Sequence, residues 1–222
     1  MPTHFLADCF LGNQKGDILT PTLPQRYTGC MTAVKKRELL SVEDYLAGEL
    51  RSQVKHEYLG GIVYAMAGAR NAHNMIATNL IVALGARLRD KPCQPFNSDT
   101  KIRVRLPTHH RFYYPDASVI CRPNPQNDSF QDEPAVIFEV LSQATRRIDE
   151  GEKRDAYLTI PSLQVYALVE QESASVVVFR RSEQGFVRED YEGLTAVLPL
   201  SEIETELPLG EIYKRVEFSV EQ

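Results

Sequence analysis

Two acids interrupt runs of residues that otherwise read as buried strands. Asp116 follows Pro115 at the head of Ala-Ser-Val-Ile-Cys, and Glu139 lies inside Ala-Val-Ile-Phe-Glu-Val-Leu. A carboxylate in an apolar strand is costly unless it is paired or ligates a cation. If the two strands are neighbours, both carboxylates reach one edge of a sheet. Hard oxygen donors of that kind suit Mg²⁺ or Mn²⁺. The plainer alternatives are a strand-entry turn at Asp116 and a salt bridge from Glu139 to an arginine. A basic stripe lies nearby in sequence: Lys101, Arg103 and Arg105 alternate with Ile102, Val104 and Leu106. Period-2 alternation gives such a strand one fully basic face, which either meets phosphates or is an ordinary solvated face.

These residues need elements to position them. Ser41 with Glu43 and Asp44 opens a helix over 41–50, since a serine cap and early acids satisfy the first turn. Gly60-Gly61 between 57–59 and 62–66 reads as a hairpin. Ile76, Leu80, Leu84 and Leu88 repeat at i+4, which predicts an amphipathic helix over 71–90, stopped by Pro92. Strands follow over 101–106, 113–121 and 135–141, the last being continuous enough to be central. A second helix covers 149–158 before Pro161, and three more strands cover 164–169, 175–180 and 186–191. The tail, 200–222, is a short helix or strand. The order is that of an α/β (α+β) domain built on one mixed sheet.

The segments HEYLGGIVYAMAGARNAHN, FNSDTKIRV, YYPDASVI, FEVLSQAT and DEGEKRDAYLTIPSLQVYALVE resemble, in order and spacing over about 41–181, the Uma family of putative restriction endonucleases. This family lies within the PD-(D/E)XK nuclease superfamily. The resemblance implies an α-β-β-β-α-β restriction-endonuclease-like core and Mg²⁺- or Mn²⁺-dependent cleavage of DNA phosphodiesters. It places the metal on Asp116, Glu139 and the carbonyl of Val140, with Glu57 of the His-Glu-Tyr segment as a third acid. The parent motif has a lysine two positions after the second acid, where this chain has Leu141. The family's substitute is Lys153 on the following helix, which would orient the attacking water. Asp149, Lys153 and Tyr157 share a helix face by i+4 spacing. His73 matches a family position and either touches a phosphate or caps its helix. Asp99 also matches, and is more naturally a turn residue. Restriction-like enzymes imply DNA as partner and a homodimer, because two strands need two sites.

The whole chain has 222 residues and a formal net charge of −5. That excludes a generically basic nucleic-acid coat protein, but not a local basic cleft. No run is long and apolar enough to span a membrane, and no signal peptide is read. Cys9, Cys30, Cys93 and Cys121 form no Cys-x-x-Cys pair, so reduced thiols in a cytoplasmic protein are expected. Residues 1–30 lack a sustained period and read as a poorly structured extension, with 31–222 the folded domain. A nuclease-fold binding module without turnover, or a structural protein with internal salt bridges, would share many of these features.

Overall fold

The computed structural model describes residues 39–218. The expected extension over 1–30 lies outside them. Ser41 caps α1 (Val42–Glu49): its Oγ accepts the Asp44 N–H at 3.0 Å, with Glu43 and Asp44 in the first turn. The hairpin β1 (His56–Leu59) and β2 (Ile62–Ala65) turns on Gly60 and Gly61, at φ 59° and 105°. Two consecutive positive φ angles are what a two-residue turn matching strand twist demands, and glycine supplies them without strain. The stripe Ile76, Leu80, Leu84 and Leu88 is buried along α2 (Asn71–Leu88).

The remaining elements are β3 (Gln94–Asn97), β4 (Lys101–Arg105), β5 (His110–Tyr113), β6 (Ala117–Ile120), β7 (Phe130–Gln131), β8 (Pro134–Val140), a helix α3 from Arg146 to Tyr157, β9 (Val165–Val169), β10 (Ser175–Ser182), β11 (Gly185–Glu192), β12 (Val197–Leu200), β13 (Thr205–Pro208) and α4 (Leu209–Ile212). The result is a mixed α/β fold, but the strands divide between two main sheets. One runs β2-β1-β5-β4-β7 and the other β11-β10-β9-β8-β6-β3, with β12-β13 as a separate pair. In the six-stranded sheet only β8 and β9 are parallel. That pair is the one joined by the 146–157 helix, as a parallel crossover requires.

The strand expected over 113–121 is therefore two strands. Tyr113 ends β5 in the five-stranded sheet, and Ala117 begins β6 in the other. Pro115 lies at the break, where its missing N–H cannot continue a ladder. The cysteine expectation also changes. Cys93 and Cys121 form a disulfide, because antiparallel pairing of β3 with β6 sets Gln94 opposite Ile120 and so brings the flanking residues together.

Three apolar layers follow from strand alternation. Ala117, Val119, Val136, Phe138 and Val140 face α2 and the C-terminal elements. Ile120, Ile137 and Leu141 face the other way, toward Tyr157, Tyr166 and the inward residues Ile102, Val104 and Tyr113 of the five-stranded sheet. The far face of the five-stranded sheet packs Tyr58 and Phe112 on Tyr45 of α1.

Candidate active site

Pairing of β6 with β8 sets Ala117 opposite Phe138, and one step further along this antiparallel ladder Asp116 meets the Glu139–Val140 segment. Asp116 Oδ2 accepts the Val140 N–H at 2.7 Å, and Oδ1 is 2.8 Å from His73 Nε2 at the start of α2. Arg70, not His73, holds the cap position of α2, without a side-chain bond. Glu139 shares the strand face of Ile137 and Leu141 and is only 3% exposed.

Lys153 reaches the same point from the crossover helix. That helix contains a π-helical turn, Asp149–Lys153, between α-helical Arg146–Ile148 and Arg154–Tyr157. Such turns are inserted residues in an α-helix and recur at functional sites. The Lys153 ammonium lies 2.9 Å from Glu57, 3.4 Å from Glu139 and 3.4 Å from Asp149. Tyr157 Oη donates to the same Glu139 oxygen at 3.4 Å. Glu57 comes from β1 of the other sheet, so the cluster ties two sheets and a helix together.

Burial dominates the electrostatics. It pushes the Glu139 carboxyl well above the ordinary glutamate range, with the Lys153 charge opposing and Asp149, Asp116 and Glu57 adding to the rise. Asp149 is raised for the same first cause, against Lys153. Burial pulls the Lys153 ammonium down, but Glu139, Glu57 and Asp149 outweigh it and hold its proton far more tightly than a free lysine does. For His73, burial lowers and the bond and charge of Asp116 raise; the net shift is upward. Glu57 Oε1 and Asp149 Oδ1 are buried without a well-aligned hydrogen bond, and the Lys153 ammonium beside them supplies their main compensation.

Among the described residues, no three His, Cys, Asp or Glu side chains surround one metal-sized point. The carboxylates converge on the ammonium instead. Their chemistry nevertheless fits a hard divalent cation: four acids face one lysine and one histidine, and two carboxylate oxygens lack a well-aligned donor.

The other expected residues lie elsewhere. Alternation along β4 turns Ile102 and Val104 toward the Tyr157 layer and Lys101, Arg103 and Arg105 to the opposite face. There Asp132 takes both arginines: Arg103 donates to its two oxygens at 2.7 Å each, and Arg105 to one at 3.1 Å. Lys101 is buried. Tyr113 packs on Tyr157 with ring centres 5.3 Å apart, and its hydroxyl donates to Glu152. Asp99 sits in the turn before β4 and pairs with Lys55 at 3.1 Å. Asp149 and Tyr157 were legible only as face-mates of Lys153. An acid in a first turn also reads as a dipole partner, so nothing in the sequence singled out Asp149 as buried.

A family model described as "Putative restriction endonuclease" (Uma2) matches residues 42–210. Two uncharacterized proteins of Synechocystis sp. are similar to the chain. The protein slr1290 is 35% identical over 147 residues, covering 66% of this chain and 76% of the relative. The protein sll1609 is 32% identical over 144 residues, covering 64% and 80%. A crystal structure of a putative nuclease belonging to DUF820 from Anabaena variabilis superposes with a TM-score of 0.62 at 16% identity, covering 78% of this chain and 97% of that one. That likeness supports the fold.

Proposed function

Because the chain belongs to the Uma2 family of putative restriction endonucleases, we propose that it is a Mg²⁺- or Mn²⁺-dependent endonuclease acting on DNA. One observation carries the reading: a buried lysine from the crossover helix reaches the sheet edge where Asp116 meets the Glu139 segment. Asp116, Glu139, the Val140 carbonyl and Glu57 would hold the metal. When bound, such an ion polarises a scissile phosphate and lowers the pKa of a water. Lys153 orients that water and offsets phosphate charge. Asp149 and Glu57 hold the lysine protonated and in place, and His73 fixes the Asp116 carboxylate. A homodimer belongs to the same proposal, since cutting both strands needs two such sites. A cytoplasmic location also belongs to it, although the Cys93–Cys121 disulfide weighs toward an oxidising compartment. No helix among the described residues is long and apolar enough to cross a membrane.

Plasmid cleavage in Mg²⁺ or Mn²⁺ tests the reading. Glu139→Ala and Lys153→Ala are each expected to abolish nicking. Cleavage surviving both refutes the site. Mn²⁺ is also expected to raise the melting temperature, since a ligand of the native state must stabilise it. One observation favours a binding module without turnover: His73 and the Val140 N–H already occupy both Asp116 oxygens. Metal-independent DNA binding without nicking would select it.

A further inference from the structure

The face of the five-stranded sheet turned away from Lys153 holds a second lysine with a largely buried side chain. Lys101 is 5% exposed, and its Nζ stands 5.3 Å from the centre of the Tyr114 ring. Arg103 and Arg105 on the same strand face have Asp132. Lys101 has no ion-pair partner and no hydrogen-bond acceptor among the described residues. Glu49 is close enough to be felt but is committed elsewhere: Oε1 accepts the His56 N–H and the Tyr114 hydroxyl, both at 2.8 Å, and Oε2 lies 3.1 Å from His56 Nδ1. An ammonium has three donors, and none of these three has a protein partner among the described residues.

Lys101 lines a pocket of about 380 Å³ together with Lys55, Glu49, Tyr114 and Ser129. Lys55 stands over the same Tyr114 ring, at 5.5 Å. It donates to the Ser98 carbonyl at 2.9 Å and to Asp99 at 3.1 Å, which leaves one N–H free. Asp99 is 76% exposed and already neutralised by Lys55, so it adds little repulsion inside the pocket. The pocket thus presents four ammonium N–H donors without a protein acceptor among the described residues and a rim hydroxyl, with the Lys101 and Lys55 charges set against Glu49 and Asp99.

We propose that this pocket is a phosphate subsite, with Lys101 as its buried cation and Lys55 as its rim cation. A tetrahedral oxyanion with several acceptor oxygens matches unused donors from two lysines that line one pocket. Burial lowers the Lys101 pKa, with Glu49 opposing, and a bound anion would oppose that shift as well. The site lies on the opposite sheet face from Glu139 and does not depend on the nuclease reading. A phosphate monoester and the terminal phosphate of a nucleic acid share this chemistry.

The test titrates inorganic phosphate into the full chain at constant ionic strength, with chloride as the balancing anion, and follows thermal unfolding. A hundredfold excess over Kd should raise the wild-type melting temperature by about 5–10 °C. Lys101→Met keeps the apolar stem and removes the charge. Without phosphate it should melt at or above the wild-type temperature, because Lys101 has no hydrogen bond among the described residues to lose and its desolvation cost is gone. Its phosphate affinity should fall at least about tenfold, the loss expected for one charge-assisted hydrogen bond. Lys55→Met should show a smaller fall. No phosphate-dependent shift in the wild type, or an equal shift in Lys101→Met, overturns the subsite. A short oligonucleotide with and without a 5′-phosphate separates the sources. Tighter binding of the phosphorylated form, competed by free phosphate, assigns a nucleic-acid end. Equal binding of the two with the phosphate shift intact assigns a small phosphate ester.

Discussion

Lys153→Met is the most informative single substitution in this chain. The side chain keeps its length and apolar stem, so the change isolates the charge. Three carboxylates, Glu57, Glu139 and Asp149, lie within 3.4 Å of the ammonium and lose it together. Removing one partner of a buried ion pair costs about 3–5 kcal/mol, because the other charge stays behind uncompensated. For a domain of this size each kcal/mol moves the melting temperature by about 2–4 °C, so the loss should be about 6–20 °C near pH 7. The pH dependence identifies the cause. Glu139 and Asp149 sit above their ordinary values even beside Lys153. The folded state therefore binds protons that the unfolded chain does not, and stability falls as pH rises from the unfolded carboxylate range through the folded values. Without the lysine those values climb further. Lys153 contributes stability that is fully present below the unfolded lysine pKa and is lost as pH rises through its own raised value. The gap between wild type and variant should thus be widest from neutral pH up to the lysine range. It should close as the pH drops toward 4 and the acids take up protons. Urea unfolding of both proteins between pH 4 and 9 measures it. Equal midpoints at pH 7, or a gap that does not change with pH, would refute the charge argument, since loss of packing alone is insensitive to pH.

Two further expectations concern the frame around the site. The Cys93–Cys121 bond closes a loop of sequence separation 28, for which the chain-entropy model gives about 3–4 kcal/mol. Reduction, or the double variant Cys93→Ser with Cys121→Ser, should lower the urea midpoint accordingly, and an unchanged midpoint on adding reductant counts against it. Asp132→Ala strips Arg103 and Arg105 of their shared acid and should cost about 1.5–3 kcal/mol at pH 7. Burial raises the Asp132 pKa, but Arg103, Asn124 and Arg105 outweigh it and hold the value low. The stabilisation is therefore present above the ordinary aspartate pKa and lost as pH falls through the depressed one, so the gap between Asp132→Ala and wild type should vanish in strong acid. A gap persisting there would assign the loss to packing.

Local physics in the sequence was enough for most elements. The Ser41 cap, the Gly60-Gly61 turn and the Ile76-Leu80-Leu84-Leu88 stripe each act over a few residues, and each appears where expected. What depended on distant partners was not legible. Alternation placed Lys101, Arg103 and Arg105 on one face but could not say that Asp132, far along the chain, neutralises two of them. The disulfide needed β3 laid against β6, a pairing set by sheet order rather than spacing. Pro115 was visible, yet whether a proline ends a strand or hands the chain to a second sheet depends on what packs on either side.

The position of the lysine follows from the same distinction. The nuclease motif that the sequence resembles takes its ammonium from the strand itself, two residues beyond the second acid, where the pleat returns to the same face. Leu141 occupies that place here, 1% exposed and packed with Ile137, Tyr157 and Tyr166. A lysine there would have to bury its charge among those rings. The π-helical turn at Asp149–Lys153 solves the same electrostatic problem from the neighbouring layer. Across that turn Asp149 pairs with Lys153, Lys153 reaches Glu139, and Tyr157, one turn on, donates to the same carboxylate. The strand is thereby freed to extend the apolar core by one position. The constraint acts on where the ammonium stands relative to the carboxylates, and the chain meets it with a different element.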